Sequence, residues 1–256
     1  MAKTIAIANH KGGVGKTTTA VNIGAGLAAR GYRVLLVDID AQANLTDTLR
    51  IATAPADIYA MLKGEAKPAA VEVAPRLHAI PATLELATAE IELSTAIGRE
   101  QLLREVLTPL QAQYDYIIVD TAPTLGLLTI NAMAAADAVL IPLQPEYYAL
   151  KGVRGLVDVV ANVQRRINSR LYVGGVIITQ YDTRTTLHKQ VREAIAAQFG
   201  AALFATPVRN AIAIAEAQAK GSNIFAYAPD SAGAEDYGKV VDEFIERFGG
   251  ETSTAK

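Results

Sequence analysis

The sequence of 256 residues predicts an α/β fold, a doubly wound and mostly parallel sheet with helices on both faces. Three observations predict it. Short apolar runs alternate with helical patterns along the chain, as in βαβ units. The runs are apolar without interruption, which is typical of strands buried on both faces. A glycine-rich turn follows the first run, at the end of a parallel strand, where such sheets place their ligands.

The N-terminal half of the chain contains four of these apolar runs. They predict strands at residues 3–8, 33–38, 77–81 and 114–120, the last of which ends on an aspartate. Helical spacing predicts helices at residues 17–30, 57–63 and 84–112. Gly31 ends the first helix, and Gly98 is expected to break the third, because glycine disfavours a helix interior.

The C-terminal half continues the alternation. Its apolar runs predict strands at residues 138–143, 171–179 and 202–206. Helices are predicted at residues 125–136, 150–167, 186–199, 212–220 and 234–248. No linker, repeat or low-complexity segment interrupts this order. We therefore expect one domain over residues 1–248 and a disordered polar tail over residues 249–256.

The composition excludes several classes of protein. The chain has no cysteine, which excludes disulfides, thiolate zinc sites and cysteine-held iron–sulfur clusters. No signal-peptide pattern and no run of about 18 apolar residues occurs, so we expect a cytoplasmic protein that does not span a membrane. The net charge is −2, but residues 151–220 contain ten Lys and Arg against four Asp and Glu, a local balance of +6. Such a segment is either a polyanion-binding face or a set of solvated helix faces.

The glycine-rich turn lies within ANHKGGVGKTTTAVN, residues 8–22. It resembles the phosphate-binding pattern G-x-x-x-x-G-K-[ST], but His10 stands at the first glycine and Lys11 adds a second positive charge. The glycines allow backbone N–H groups to converge on phosphate oxygens, Lys16 would reach the terminal phosphates, and the Thr17 hydroxyl would bind Mg²⁺. The ATP-binding residues expected here are Lys11, Gly12, Gly13, Val14, Gly15, Lys16, Thr17 and Thr18.

Aspartates follow two of the predicted strands. Asp38 ends the run VLLVD and Asp40 follows it, while Asp120 ends YIIVD. Carboxylates at the ends of parallel strands face the ligand crevice. Asp38 and Asp40, one residue apart, suit Mg²⁺ binding through water and the positioning of an attacking water, and Asp120 could hold Mg²⁺ through water. Helix capping is the alternative for an aspartate after a strand.

The motifs KGGVGKTT, VDID, VDTAP and PLQPEYYALKGV together resemble the ParA/Soj branch of the deviant Walker-A ATPases, within the P-loop NTPases. The similarity extends from Ile5 to about Phe248. It implies a homodimer that forms on ATP binding, in which Lys11 reaches the nucleotide of the partner subunit. The resemblance thus implies catalytic roles for Lys11, Lys16 and Asp40. It also implies that Asp38 and Asp120 lie on the Mg²⁺ side of the site, with ATP and Mg²⁺ as cofactors.

The resemblance also covers the C-terminal third. ATPVRNAIAIAEA, residues 205–217, is similar to the adenine-binding segment of the family, with Asn210 at its asparagine and Pro207 one place earlier than its proline. Arg184 matches a DNA-contacting arginine, while Ala211 to Ala213 lack the charge of a second one. Ala43 also stands where the family often has glycine. The DNA-binding residues expected are Arg184, Lys189, Arg192, Arg209 and Lys220, with Arg165, Arg166 and Arg170 as further candidates.

Other branches of the group fit less well. The nitrogenase iron protein needs cysteines, MinD has a basic membrane helix, and here the segment DEFIERF is acidic. No helix-turn-helix segment precedes the first strand, so DNA binding is expected to be nonspecific. The function implied is chromosome or plasmid partitioning on the nucleoid, with hydrolysis that is weak alone and stimulated by a ParB-like partner. The alternatives are an ATPase that positions a protein cargo, such as chemoreceptor clusters or microcompartments, and a regulatory ATP switch without DNA binding.

Overall fold

The computed structural model describes residues 1–146 and 149–249. In that part of the chain, seven strands form one sheet in the order β3-β4-β2-β5-β1-β6-β7. All neighbours pair in parallel except β3, which is antiparallel to β4. The strands are β1 (Lys3–Ile7), β2 (Val34–Ile39), β3 (Val71–Ala74), β4 (Leu77–Ile80), β5 (Tyr116–Thr121), β6 (Ala138–Leu143) and β7 (Tyr172–Ile178).

Helices cover both faces of the sheet, which confirms the predicted fold class. They are α1 (Lys16–Ala29), α2 (Asn44–Thr48), α3 (Ile58–Leu62), α4 (Leu86–Glu92), α5 (Leu102–Leu107), α6 (Leu127–Ala135), α7 (Ala149–Arg166), α8 (Thr186–Phe199), α9 (Ile212–Ala219), α10 (Ile224–Tyr227) and α11 (Ala232–Phe248). Within residues 1–146 and 149–249, no helix combines the length and the apolar content needed to cross a bilayer.

The sheet separates two hydrophobic cores, and the alternation of side chains along each strand supplies both. In β1, Ile5 and Ile7 pack under the face that carries α1 and α11, whereas Ala6 packs into the opposite core. All three side chains are fully buried. Because both faces are covered, each central strand is mostly apolar, and polar residues such as Asp38 and Asp120 lie near the strand ends.

Because the central strands are parallel, their carboxyl ends all lie along the same side of the sheet. β1 lies between β5 and β6, so the glycine-rich loop after Ile7 emerges at the middle of that side. In the β2–β5 pair, Asp38 is directly opposite Asp120. The fold therefore gathers the loop and both aspartates at one end of the molecule.

The predicted strand at residues 202–206 is wrong. This segment begins with a short 3-10 turn and then runs beside β7, where the Phe204 N–H donates to the Val176 carbonyl and the Val208 N–H to the Ile178 carbonyl. The two donors are four positions apart in the sequence, but the two acceptors are only two positions apart. The intervening residues therefore bulge out of the ladder, and Pro207 among them has no N–H to donate.

The helical segment predicted at residues 84–112 has the break expected near Gly98, which is confirmed, but it also contains two 3-10 turns. It is divided into α4, a 3-10 turn at Leu93–Thr95, α5 and a second 3-10 turn at Thr108–Leu110. Gly98 lies in the break with a φ of 69°. The sequence prediction missed α2, β3 and α10, which are four or five residues long, too short to establish a period. Of the predicted tail, residues 250–256 lie outside the described residues.

Two glycines inside helices provide a test of packing. Gly26 lies in α1, and a Cβ there would come within 2.6 Å of Val241 Cγ2 and 3.1 Å of the Phe225 ring. Gly238 lies in α11, and a Cβ there would meet nothing within 4 Å. We expect Gly26→Ala to destabilise the protein by about 1–3 kcal/mol through overpacking. Gly238→Ala should stabilise it by roughly 0.5–1 kcal/mol, because alanine favours a helix.

Urea unfolding of both variants measures these free energies. Equal effects of the two substitutions would contradict the close contact between α1 and α11.

Candidate nucleotide-binding site

The loop between β1 and α1 forms the floor of a cavity of about 480 Å³. Gly13 and Gly15 have φ values of 74° and 83°, which residues with a Cβ rarely adopt. Gly15 directly precedes Lys16, the first residue of α1, so the positive end of the helix dipole faces the cavity. A loop of this geometry is suited to bind an anion such as a phosphate.

Side chains from the neighbouring strands hold the carbonyl groups of this loop. The Thr179 hydroxyl donates to the Val14 carbonyl at 2.8 Å, and the Gln180 amide donates to the Gly13 carbonyl at 2.7 Å. The Gln144 amide donates to the same Gly13 carbonyl at 3.2 Å. These donors fix the peptide planes of the loop from the β6 and β7 side, so the orientation of its N–H groups is set before any ligand arrives.

The two lysines of the loop have different environments. Lys16 is 7% exposed and lines the cavity, and burial lowers the pKa of its ammonium group while the charges of Asp120 and Asp40 oppose that effect. Lys11 is absent from the lining of this cavity. Its Nζ lies 2.5 Å from Glu146 Oε2 and 3.3 Å from Gln144 Oε1, and 44% of the Lys11 side chain is exposed.

Asp38 is a buried carboxylate whose oxygens are both hydrogen-bonded. Its Oδ2 accepts from the Thr46 N–H at 3.0 Å and from the Thr46 hydroxyl at 2.8 Å. Its Oδ1 accepts from the Asp40 N–H at 3.2 Å. Burial still raises the pKa of Asp38 to about 6, because the cost of desolvation outweighs these three hydrogen bonds, and the nearby Asp40 charge adds to the increase.

Asp120 lies opposite Asp38 in the sheet, but its carboxylate has a different environment. It is fully buried, and neither of its carboxylate oxygens has a hydrogen-bond partner among the described residues. Burial, followed by the charge of Asp38, raises its pKa well above the usual value, against the opposing effects of Thr17 and Lys16. A buried carboxylate without partners is costly, and a cation would satisfy it.

The donor set near Asp120 fits Mg²⁺ together with phosphate oxygens. No group of three or more His, Cys, Asp or Glu side chains in residues 1–146 and 149–249 forms an all-protein metal site. Mg²⁺ usually keeps several waters and takes one or two protein ligands beside substrate phosphates. Thr17 lines the cavity beside the buried Asp120. Asp40, which is 7% exposed, lines the cavity too.

The other end of the cavity is lined by the segment before α9 and by α9 itself. Asn210 lies in this lining as the sequence predicted, and the Thr18 hydroxyl donates to Gln218 Oε1 at 3.0 Å. Pro207 does not lie there. It lines a neighbouring cleft, and Val208 lines the cavity in its place, so the placement of Pro207 in the adenine site is corrected.

The basic residues predicted to bind DNA are not equivalent. Arg184 has an 89% exposed side chain that pairs with Asp182 at 2.9 Å, and this hydrogen-bonded pair lowers the pKa of Asp182 to about 2. Lys189 and Lys220 are exposed. Arg192 is half-buried, donates to the Ala205 carbonyl at 2.9 Å and lies over the Tyr181 ring.

Arg209 has a structural role. Its guanidinium contacts both Asp236 and Glu235 at 2.7 Å, and its backbone N–H donates to Asp236 at 2.8 Å. Asp236 is nearly buried, so this charge-assisted network fastens the segment before α9 to α11. The two carboxylates neutralise the guanidinium, which disfavours Arg209 as a phosphate contact.

Several residues of the site gave no signal in the sequence. They are Gln42, Asn44, Thr46, Gln144, Thr179, Gln180 and Gln218. Most of them act on the loop or on the aspartates from elements that are more than 100 residues away. A single glutamine or threonine at the end of a strand has no distinctive spacing, so only the fold reveals it.

Comparisons with known proteins agree with this geometry. A family model described as an AAA domain matches residues 2–173. The sporulation initiation inhibitor protein Soj of Bacillus subtilis is 47% identical over 251 residues, covering 95% of this chain and 98% of Soj. The chromosome partitioning protein ParA of Caulobacter vibrioides (strain NA1000 / CB15N) is 41% identical over 252 residues, covering 96% of this chain and 94% of ParA.

A solved structure has the same fold. Cobyrinic acid a,c-diamide synthase from Mycobacterium smegmatis, with a bound ATP analog and magnesium, superposes with a TM-score of 0.83 and 34% identity. The match covers 96% of this chain and 95% of that one. A nucleotide and Mg²⁺ therefore occur together in a protein of this fold.

The buried carboxylates predict an unusual pH dependence. Unfolded aspartates ionise near pH 4, whereas the folded Asp38 ionises at about pH 6 and Asp120 also at a raised pH. Between these values the folded state holds more protons than the unfolded state, so its stability falls as the pH rises. We expect the ligand-free protein to lose on the order of 3 kcal/mol of unfolding free energy between pH 4.5 and 7.

Urea unfolding across this range measures the slope. The exposed Asp182 and Glu235, whose pKa values are lowered to about 2, act in the opposite direction, but their contribution is nearly complete above about pH 5. Asp120→Asn should flatten the slope, since it removes one member of the pair. Stability that rises from pH 4.5 to 7 in the wild type would contradict the prediction.

Proposed function

The chain belongs to the ParA/Soj family of P-loop ATPases, and we propose that it is a partitioning ATPase, which hydrolyses ATP with Mg²⁺ and acts as a dimeric switch on DNA. The observation that supports this most directly is the cavity itself. The glycine-rich loop, the buried Lys16 and Thr17 line one cavity at the ends of the parallel strands. Asp120, which has no hydrogen-bond partner among the described residues, is close enough to Thr17 and Lys16 for both to affect its pKa. The two relatives described above are a Soj and a ParA protein, and the ParA is named for chromosome partitioning.

Different residues of the cavity bind different parts of ATP. The loop N–H groups and Lys16 bind the phosphates, while Asn210 and its neighbours hold the base at the other end. Thr17 and Asp120 would hold Mg²⁺, which supplies positive charge to the phosphates when bound. Asp38, also expected on the Mg²⁺ side, accepts three hydrogen bonds from Asp40 and Thr46 and supports this arrangement through them. Asp40 lines the cavity and orients the attacking water.

The position of Lys11 supports dimer formation. In one protomer Lys11 is turned away from the cavity and pairs with Glu146 at the surface. An exposed pair of this kind contributes about 0–1 kcal/mol, so release of Lys11 costs little. Once released, its ammonium group can reach a nucleotide bound by a second copy and neutralise charge there, as an arginine finger does.

The basic segment supports DNA binding by the dimer. Arg184 and Lys189 are exposed on the loop before α8 and on α8 itself, and they belong to the segment with a balance of +6. Two copies held together by ATP would double the number of phosphate contacts, which strengthens nonspecific binding steeply. A ParB-like partner then stimulates hydrolysis, the dimer opens and DNA is released. This cycle places the protein in the cytoplasm, on the nucleoid.

Replacement of Lys11 tests the switch. We expect Lys11→Ala to abolish ATP-induced dimers and to lower kcat roughly 100-fold or more, because a finger residue stabilises transition-state charge. The Kd for ATP should change less than threefold, since Lys11 does not line its own cavity. Analytical ultracentrifugation, fluorescent-nucleotide binding and phosphate release measure the three quantities.

Lys67→Ala is the control, because Lys67 is an exposed lysine outside the loop. A Lys11→Ala protein that dimerises and hydrolyses ATP like the wild type would refute the role in the partner's site.

The DNA interface is tested separately. We expect the double variant Arg184→Ala/Lys189→Ala to weaken ATP-dependent binding to random duplex DNA at least tenfold. The slope of log K against log salt should become less steep by roughly one for each phosphate contact removed. The charge-matched control is Arg99→Ala/Lys67→Ala. Both of these residues are exposed, and both lie outside the basic segment at residues 151–220.

Unchanged DNA binding in the first variant would move the interface to other basic residues. Absence of DNA binding by the wild type with ATP would favour a regulatory switch without DNA.

A further inference from the structure

The loop that contains Asp40 is closed by bonds to a single carboxylate. At its start the Asp40 N–H donates to Asp38 Oδ1, and at its end the Thr46 N–H and hydroxyl both donate to Asp38 Oδ2. Residues 40–46 thus begin and end on the two oxygens of the same group. All three residues are at most 7% exposed, so water does not compete for these bonds.

The Thr46 hydroxyl also connects this loop to a third segment. Besides donating to Asp38, its oxygen accepts from the Ala82 N–H at 2.9 Å. Ala82 follows β4 and is 2% exposed. One hydroxyl therefore joins the end of β2, the helix α2 and the turn after β4, using its donor and its acceptor at once.

The loop needs such closure because its backbone is strained. Ala43 has a φ of 52° and a ψ of 30°, a left-handed conformation that is unfavourable for a residue with a Cβ. The Ala43 N–H donates to the Asp40 carbonyl at 2.9 Å, so the strained residue is directly linked to Asp40. Without bonds at both ends, rotation at Ala43 would relieve the strain and displace Asp40 from the cavity.

We propose that Thr46 is a positioning residue for ATP hydrolysis, whose hydroxyl holds Asp38 and thereby keeps Asp40 at the phosphate end of the cavity. This inference rests on the proposed function as an ATPase. Thr46 does not line the cavity and touches no reacting atom, so it acts through Asp38 and Asp40. Its loss should therefore affect turnover more than nucleotide binding.

The test compares Thr46→Val with Thr46→Ser. Valine keeps the shape of threonine but loses the hydroxyl, whereas serine keeps the hydroxyl. We expect Thr46→Val to lower kcat roughly 10–100-fold, because small displacements of a catalytic group have effects of this size. The Kd for ATP should change less than threefold, and Thr46→Ser should retain kcat within threefold of the wild type.

Thr48→Val is the matched control. Thr48 lies in the same helix, is buried to a similar extent and also uses its hydroxyl, but that hydroxyl donates to the Asn44 carbonyl within α2. Its loss breaks no bond to an aspartate, so kcat should stay within threefold. A loss of turnover in Thr48→Val equal to that in Thr46→Val would indicate a general weakening of α2 and would overturn the proposal.

A second readout does not depend on hydrolysis. Hydrogen exchange of residues 38–48 in the nucleotide-free protein should be faster in Thr46→Val than in the wild type and unchanged in Thr46→Ser. If the wild type itself does not hydrolyse ATP, the proposed function fails, while the exchange experiment still decides whether Thr46 closes the loop. If Thr46→Val does not fold, Thr46→Ala replaces it in both measurements. Wild-type kcat, or wild-type exchange, in the folded hydroxyl-free variant overturns the proposal.

Discussion

The pairing of Asp38 with Asp120 is the constraint on which the site depends. The register of β2 and β5 sets these two acids side by side at the buried carboxyl ends of the two strands. Two carboxylates at such a place repel each other and lack water, so at least one must be neutralised or held by donors. The structure does this unequally, since among residues 1–146 and 149–249 Asp38 receives three hydrogen bonds and Asp120 receives none. That inequality separates an acid that shapes the neighbouring loop from one that is free to take a cation.

Much of the fold was predictable because the signals are local. Strands buried on both faces are largely apolar runs, and β6 and α8 have the bounds that the pattern predicts. The segment beside β7 was mispredicted because its ladder depends on distant acceptors, Val176 and Ile178, and on the missing N–H of Pro207. The antiparallel β3 has only four residues with a half-exposed pattern, so its pairing is set by the tertiary structure.

The same distinction applies to the site. The loop at residues 11–18 is one contiguous stretch, and each aspartate directly follows the apolar residues of its own strand. Both signals are therefore local in the sequence, and each has a spacing that follows from its chemistry. Arg209 looked like a DNA contact because charge alone does not show a partner, and Asp236 lies 27 residues away. Thr46 has no pattern at all. Its N–H and its hydroxyl both donate to the same oxygen of Asp38, and these contacts exist only once β2 and α2 are folded together.

The two outer edges of the sheet are protected in different ways. On one side β3 is short, its register shifts between Glu72 and Ala74, and the exposed Glu72 lies on it. On the other side residues 203–208 cover β7 and occupy the Val176 and Ile178 carbonyls. Open edges invite strand addition and fibre growth, which short, bulged or covered edges resist. Both edges of the sheet are therefore protected against the addition of a strand from a second copy of the chain.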